Sequence, residues 1–363
     1  MLEEVRFMAR TMRAAQVVAY GKPLEIREVP VPEPHGEEVL VRIGGAGLCH
    51  SDLHLMHGEI PLLPSLPFTL GHENAGWVEE MGENVQGFSK GDAVAVYGGW
   101  SEKPDRFAWA GQEQLTDIRK WVGIGFPGGY AEYLLVPSYR YLLPLGDLSP
   151  IEAAPLTDAA LTPYRAVKKL LPSLYPGSTV VIIGVGGLGQ FGVQFARVLT
   201  PSCQVIAIDV DSKKLEIARE LGADHVIHGR EEDPVAKVKS LTGGEGAQGV
   251  VDFVGSSATM TQAWNMAGRQ AKVVIVGLAG GKLEFTTKVL NEAELTTSVW
   301  GSQVELSEVL ELARRGVIRP RIRRVRFEEI NEAFEDLAHG RIEGRAVLVP
   351  HDTLENAATG PTQ

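Results

Sequence analysis

The sequence predicts a two-part α/β protein, in which a doubly wound parallel sheet is inserted into a strand-rich domain. Three observations predict it. From Met12 to about Asp147 the chain reads as short strands broken by Gly and Pro, as in VLVRIGGAG, AGWVEEMG, DAVAVYGG and AEYLLVP. From about Pro176 strands and helices alternate, through STVVIIG, LGQFGVQFARVL, CQVIAID, SKKLEIARELG, HVI, DPVAKVKSL, GVVDFVG, ATMTQAWNMAG and AKVVIVG. That alternation implies parallel strands joined by crossover helices. From about Ser302 to Pro350 the texture becomes mixed again (SEVLELARRG, FEEINEAFEDLAHG, RAVLVP). The expected boundaries are 1–157 with 302–363 for the outer domain and 158–301 for the insert, with 1–11 and 351–363 as loose ends.

Bulk properties narrow the function. A chain of 363 residues suits two domains, and 44% hydrophobic with 22% charged residues suits a sizeable core. The formal net charge of -11 argues against a nucleic acid or an anionic membrane as partner, since both need a basic face. No apolar run approaches the roughly 20 residues that span a bilayer. The opening MLEEVRFMARTMR lacks the apolar centre of a secretory signal, so a cytoplasmic location is expected. The two cysteines, Cys49 and Cys203, are too few for a disulfide framework. Cys203, entering a strand, reads as a small buried hydrophobe.

Gly184-Val185-Gly186-Gly187-Leu188-Gly189 supplies G-x-G-x-x-G between a strand and a helix. Such glycines allow a tight turn and bring backbone N–H groups to a pyrophosphate at the helix N-terminus. The next strand ends in Asp209, about 20 residues on, where an acid holds the adenosine ribose hydroxyls and repels a 2′-phosphate. Capping of the following helix would explain Asp209 but not the glycines. NAD is therefore favoured over NADP.

Cys49-His50-Ser51-Asp52-Leu53-His54 and Gly71-His72-Glu73 concentrate thiol, imidazole and carboxylate in one short stretch. Zinc takes such ligands, and a catalytic site leaves one position open. Spacing alone does not select the ligand set.

The motifs CHSD-L-H, GHE-x-A-G, DAVAVYGG, GGYAEY, LTDAALTPYRA, GVGGLG and GRAVLVP, in that order, resemble the zinc-containing medium-chain alcohol dehydrogenases from about Met12 to Pro350. The resemblance implies a GroES-like catalytic domain, a Rossmann cofactor domain and an active site in the cleft between them. It implies Cys49 and His72 as ligands of a catalytic zinc. Asp158 is the third, where many relatives carry a cysteine. It places Glu73 behind the metal as a transient ligand and has Asp52 accept the second N–H of His72; the alternative for Asp52 is helix N-capping. Where many relatives hold a structural zinc with four cysteines, this chain has Glu102, Asp105, Ala108 and Thr116. One zinc per subunit is therefore expected, with the lobe packed by Trp100, Phe107 and Trp109.

By the same resemblance, Ser51 receives the substrate proton and His54 releases it to solvent, while hydride passes to the nicotinamide. A turn serine and an exposed histidine are the plainer readings. Thr162 is expected at the nicotinamide face and Gly277-Leu278 at its carboxamide. Lys214 joins the cofactor site, and His50 and Arg345 the pyrophosphate. Trp100, Trp300 and Tyr97 are expected to wall an apolar pocket, favouring small secondary or aromatic alcohols, ketones and aldehydes over polyols. The competing readings are a polyol or sugar dehydrogenase, a zinc-free quinone reductase and a non-catalytic dinucleotide sensor. A dimer or homotetramer is expected, with ELTTSVW pairing across a two-fold.

Overall fold

The computed structural model describes residues 10–101, 105–284 and 289–351. It divides into two compact units, residues 1–157 with 322–363 and residues 158–321.

In the first unit the strand Val39–Gly47 pairs antiparallel with Glu73–Met81, bringing Gly47 opposite Glu73. Both strands are largely buried, which suits their Val, Ile and Ala content. Their sheet runs in the order Ile322–Val325, Arg345–Leu348, Val39–Gly47, Glu73–Met81, Ala93–Val96, Leu142–Pro144, and Tyr133–Val136 also pairs with Val39–Gly47. A smaller sheet joins Thr11–Val17 to Glu25–Pro30 and Phe68–Thr69. The pairing carries two compensating bulges. Glu79 is extra on one strand and Gly44 on the other, so pairs 39↔81 and 47↔73 share one offset while 41–43 are shifted by a residue. Glycine is needed at 44 because a Cβ there would meet Pro150 and Trp77 at 2.8 Å.

The second unit holds a six-stranded sheet in the order His225–His228, Gln204–Asp209, Thr179–Ile183, Ala247–Asp252, Ala267–Ile275, Glu294–Thr297, with every pairing parallel. Helices Gly189–Leu199, Ser212–Glu220, Pro234–Leu241 and Ser257–Met266 connect successive strands. This is the doubly wound order, reversing at Thr179–Ile183 and Ala247–Asp252. Val181, Ile206, Val250 and Val273 are at the centre of the core.

Two expectations change. The return to the first unit falls at 322 rather than 302. Helix Gln303–Arg314 stays with the second unit because it buries Leu306, Val309 and Leu310. It also pairs Glu305 with Arg165 at 2.8 Å and Glu308 with Lys168 at 2.5 Å. Of the residues expected in loose ends, Thr11 opens a strand and His351 packs edge-on against Tyr133. Residues 1–9 and 352–363 lie outside the described residues.

Candidate metal centre and nucleotide loop

The strand register builds the candidate metal centre. Cys49 lies two residues beyond Gly47, and His72 one residue before Glu73, so the Gly47↔Glu73 pair brings thiol and imidazole to the same end of the sheet. Glycine at 47 is required, because a Cβ there would lie 2.0 Å from a Glu73 carboxylate oxygen. Asp158 follows Thr157, the last residue of the first unit's segment. Ligand atoms of Cys49, His72, Glu73 and Asp158 all lie within 4.8 Å of one another, the first three residues buried and Asp158 partly so. One thiol, one imidazole and carboxylates converging out of water match the donor chemistry of zinc.

A buried carboxylate organises two of these donors. Asp52 is fully buried, near the start of helix His50–Met56. Its Oδ2 accepts the backbone N–H of Cys49 at 3.0 Å, and its Oδ1 lies 3.2 Å from His72 Nδ1. The N-capping reading and the histidine-orienting reading thus describe the same residue. Tyr130 donates its hydroxyl to Asp52 Oδ2 at 2.6 Å. Burial, then the Asp52 charge, pushes the Tyr130 phenol well above its usual range, so it stays a donor. Nothing in GGYAEY marks Tyr130 for this role, because its partners Gly47 and Asp52 are distant in the chain.

Arg345, expected at the pyrophosphate, is buried beside Glu73, donating through Nε at 3.0 Å and through Nη2 to the second carboxylate oxygen. A buried carboxylate needs a partner, and this pair supplies it; the Glu73 expected as a transient ligand is held by the same contact. Thr162, expected against the nicotinamide, donates its hydroxyl to Asp158 Oδ1 at 2.6 Å. His54 is partly exposed, and its Nδ1 lies 2.5 Å from Glu59, whose carboxyl the ring holds below the usual range. Ser51 precedes His54 by one helical turn, and His50 is exposed.

Trp100 is buried, donates Nε1 to the Tyr97 carbonyl at 2.7 Å and packs near Phe126 and Tyr141. Trp109 does not hold the lobe as expected, being 75% exposed; Phe107 is partly covered beneath the Arg106 guanidinium. Of the four positions matched to structural-zinc cysteines, Asp105 caps a helical turn, Ala108 lies within that turn and Thr116 bonds the Glu113 carbonyl. Glu102 lies outside the described residues. Trp300 is buried at φ 42°, a left-handed conformation that strains a bulky side chain.

The glycine loop of the second unit is built from backbone. Gly184 has φ 84°, and a Cβ at Gly189 would lie 1.7 Å from the Gly184 carbonyl oxygen. A Cβ at Gly186 would meet nothing within 4 Å, which leaves room for a ligand. Gly187 and Leu188 complete the turn into helix Gly189–Leu199. Asp209 accepts Val185 N–H at 2.7 Å through Oδ2, and Val210 and Asp211 N–H through Oδ1. Lys214 sits in the first turn of the next helix. Gly277 abuts the Val254–Gly255 backbone, where a Cβ would lie 2.1 Å from the Val254 carbonyl carbon, and Leu278 is exposed.

A doubly wound sheet with a G-x-G-x-x-G turn, together with a buried thiol–imidazole–carboxylate set, defines a two-domain metal-dependent dehydrogenase. Residues 35–147 match the alcohol dehydrogenase GroES-like domain, and residues 187–315 the zinc-binding dehydrogenase domain. The chain is 41% identical to an NAD-dependent alcohol dehydrogenase of Sulfurisphaera tokodaii, covering 93% of this chain and 100% of that one. It is 37% identical to a D-arabinose 1-dehydrogenase (NADP(+)) of Saccharolobus solfataricus, covering 93% and 97%. Among solved structures, the alcohol dehydrogenase of Aeropyrum pernix is 42% identical over 93% of this chain and 100% of that one, with TM-score 0.87. The chain belongs to the zinc-containing medium-chain alcohol dehydrogenase family, oxidoreductases acting on alcohols.

Proposed function

We propose that this enzyme transfers hydride between a small secondary or aromatic alcohol and NAD, and runs the reverse reaction on the corresponding ketone or aldehyde. The observation that carries the proposal is the convergence of Cys49, His72 and Asp158, with Glu73, in a buried group. Cys49, His72 and Asp158 would hold one zinc per subunit, and no second, structural zinc is proposed. When bound, zinc supplies Lewis acidity that lowers the pKa of a substrate hydroxyl.

The chain's own residues do the rest. Ser51 takes the hydroxyl proton, and His54, partly exposed beside Glu59, passes it to solvent. The turn Gly184–Gly189 holds the pyrophosphate and Asp209 the ribose, where its charge disfavours a 2′-phosphate. Thr162 orients Asp158 through its 2.6 Å hydrogen bond. Lys214 and His50 complete the cofactor site, with Gly277 and Leu278 at the carboxamide. Buried Trp100, Tyr97 and Trp300 supply apolar surface, which supports aliphatic and aromatic substrates.

The second reading, a sugar or polyol dehydrogenase, is favoured by the 37% identity to the D-arabinose enzyme. A homo-oligomer in the cytoplasm, dimer or tetramer, is also proposed. Its support is Glu294–Thr297 as the terminal strand of the parallel sheet, with Leu295 and Val299 exposed.

The test is NADH formation with primary, secondary, aromatic and polyhydric alcohols, before and after dialysis against a chelator. Activity on secondary or aromatic alcohols that vanishes on chelation and returns with zinc is expected, with one zinc per chain by elemental analysis. Faster turnover of aldoses or polyols would replace the substrate assignment. Turnover untouched by complete metal removal would overturn the zinc chemistry.

A further inference from the structure

Tyr130 bridges the segments that deliver the two ligands of the first unit. Its ring packs edge-on against Phe334 at 5.8 Å, and a Cβ on Gly71, the residue before His72, would lie 2.8 Å from that ring. Its backbone N–H donates to the Leu70 carbonyl at 3.0 Å. Its hydroxyl reaches Gly47 O at 3.0 Å, two residues before Cys49, and Asp52 Oδ2 at 2.6 Å. A phenol has one proton, and the shorter, charge-assisted contact to the carboxylate claims it.

Asp52 therefore gathers three donors, namely the Tyr130 hydroxyl, the Cys49 N–H and the His72 ring. Among the described residues no Lys or Arg pairs with this fully buried carboxylate. The His72 ring meets Asp52 through Nδ1, so Nε2 is the ring nitrogen left to a metal. With the tyrosine hydroxyl removed, Oδ2 keeps the Cys49 N–H at 3.0 Å but loses its shorter 2.6 Å contact, so the carboxylate is held less tightly.

We infer that Tyr130 is a positioning residue for the metal centre, acting through Asp52 to hold the His72 ring and the Cys49 backbone in place for zinc. The inference rests on the zinc reading above. It assigns Tyr130 a role separable from packing, because Tyr130→Phe keeps the ring and removes only the hydroxyl.

The experiment measures zinc dissociation constants of metal-free wild type, Y130F, D52N and the double variant by competition with a chromophoric chelator. Spectra of the cobalt(II)-substituted proteins and unfolding temperatures of the metal-free forms accompany them. Loss of an outer partner of a metal-bound histidine weakens metal affinity by roughly 10–100-fold. Y130F is expected near the lower end, D52N near the upper end, and the double variant no weaker than D52N, with both single variants shifting the cobalt bands. Wild-type zinc affinity and spectrum in Y130F, even with a lowered unfolding temperature, would make Tyr130 a packing residue and overturn the inference. So would additive losses in the double variant. D52N with parental zinc affinity overturns it even if Y130F does not fold. A wild-type chain that binds no zinc overturns the metal reading itself, which separates the two failures.

Discussion

At Gly184–Gly189 the proposed binding surface is the backbone of six consecutive residues, whereas the proposed metal donors come from three stretches of chain, around Cys49, His72 and Asp158. The glycine loop needs side chains to be absent; the metal end needs side chains held in place by others. Substitution should therefore reveal two kinds of damage. At the loop, stability and ligand binding come apart residue by residue. At the metal end they are coupled through buried charges.

The largest expected effect tests the coupled end. Arg345→Ala leaves the Glu73 carboxylate buried without its guanidinium, a change that costs about 3–5 kcal/mol in other buried pairs. Urea unfolding should register that loss while the NAD dissociation constant of the folded protein stays near the parent's. Unaltered stability with weakened NAD binding would return Arg345 to the pyrophosphate. Next come paired substitutions in the loop. Gly189→Ala drives a methyl onto the Gly184 carbonyl and should lower stability by roughly 1–3 kcal/mol. Gly186→Ala meets no protein atom, so it should melt like wild type yet bind NAD on the order of 10-fold more weakly. Equal melting losses in the two would erase the distinction between the regions.

The smallest effect compares two buried aspartates. Asp52 has both oxygens engaged, whereas Asp252 gives Oδ1 to the Val254 and Gly255 N–H groups and leaves Oδ2 without a partner. Burial raises the Asp252 carboxyl above its usual 3.8. A carboxyl raised in the folded state stabilises the fold at low pH, and that contribution fades as pH climbs through the folded value. Asp252→Asn keeps the Oδ1 acceptor and removes the charge, so it should be more stable than wild type at pH 7. The gain should shrink towards nothing as the pH approaches the ordinary carboxylate range, which unfolding at several pH values would show.

The same contrast explains what the sequence disclosed. The glycine turn, Asp209 and the alternating strands are local signals, and local signals survive in one dimension. Cys49 and His72 stood out by residue type, but only the Gly47↔Glu73 register joins them. Arg345 illustrates the limit: nothing in GRAVLVP distinguishes a guanidinium facing a cofactor from one locked on a carboxylate across the sheet. Tyr130 was invisible for the same reason, its partners lying 83 and 78 residues away in the chain. Helix Gln303–Arg314 falls in the second unit, and its amphipathic pattern gives no hint of which surface it will cover.

The two bulges at Glu79 and Gly44 act as slack in the ladder, each taking up one extra residue on its own strand while the Gly47↔Glu73 pair keeps its place. Loss of either extra residue alone would straighten the ladder locally and leave that pair opposed, because directly opposed residues of an antiparallel pair share a face. Chain length at these two positions is therefore less constrained than the register of the pair that leads to Cys49 and His72.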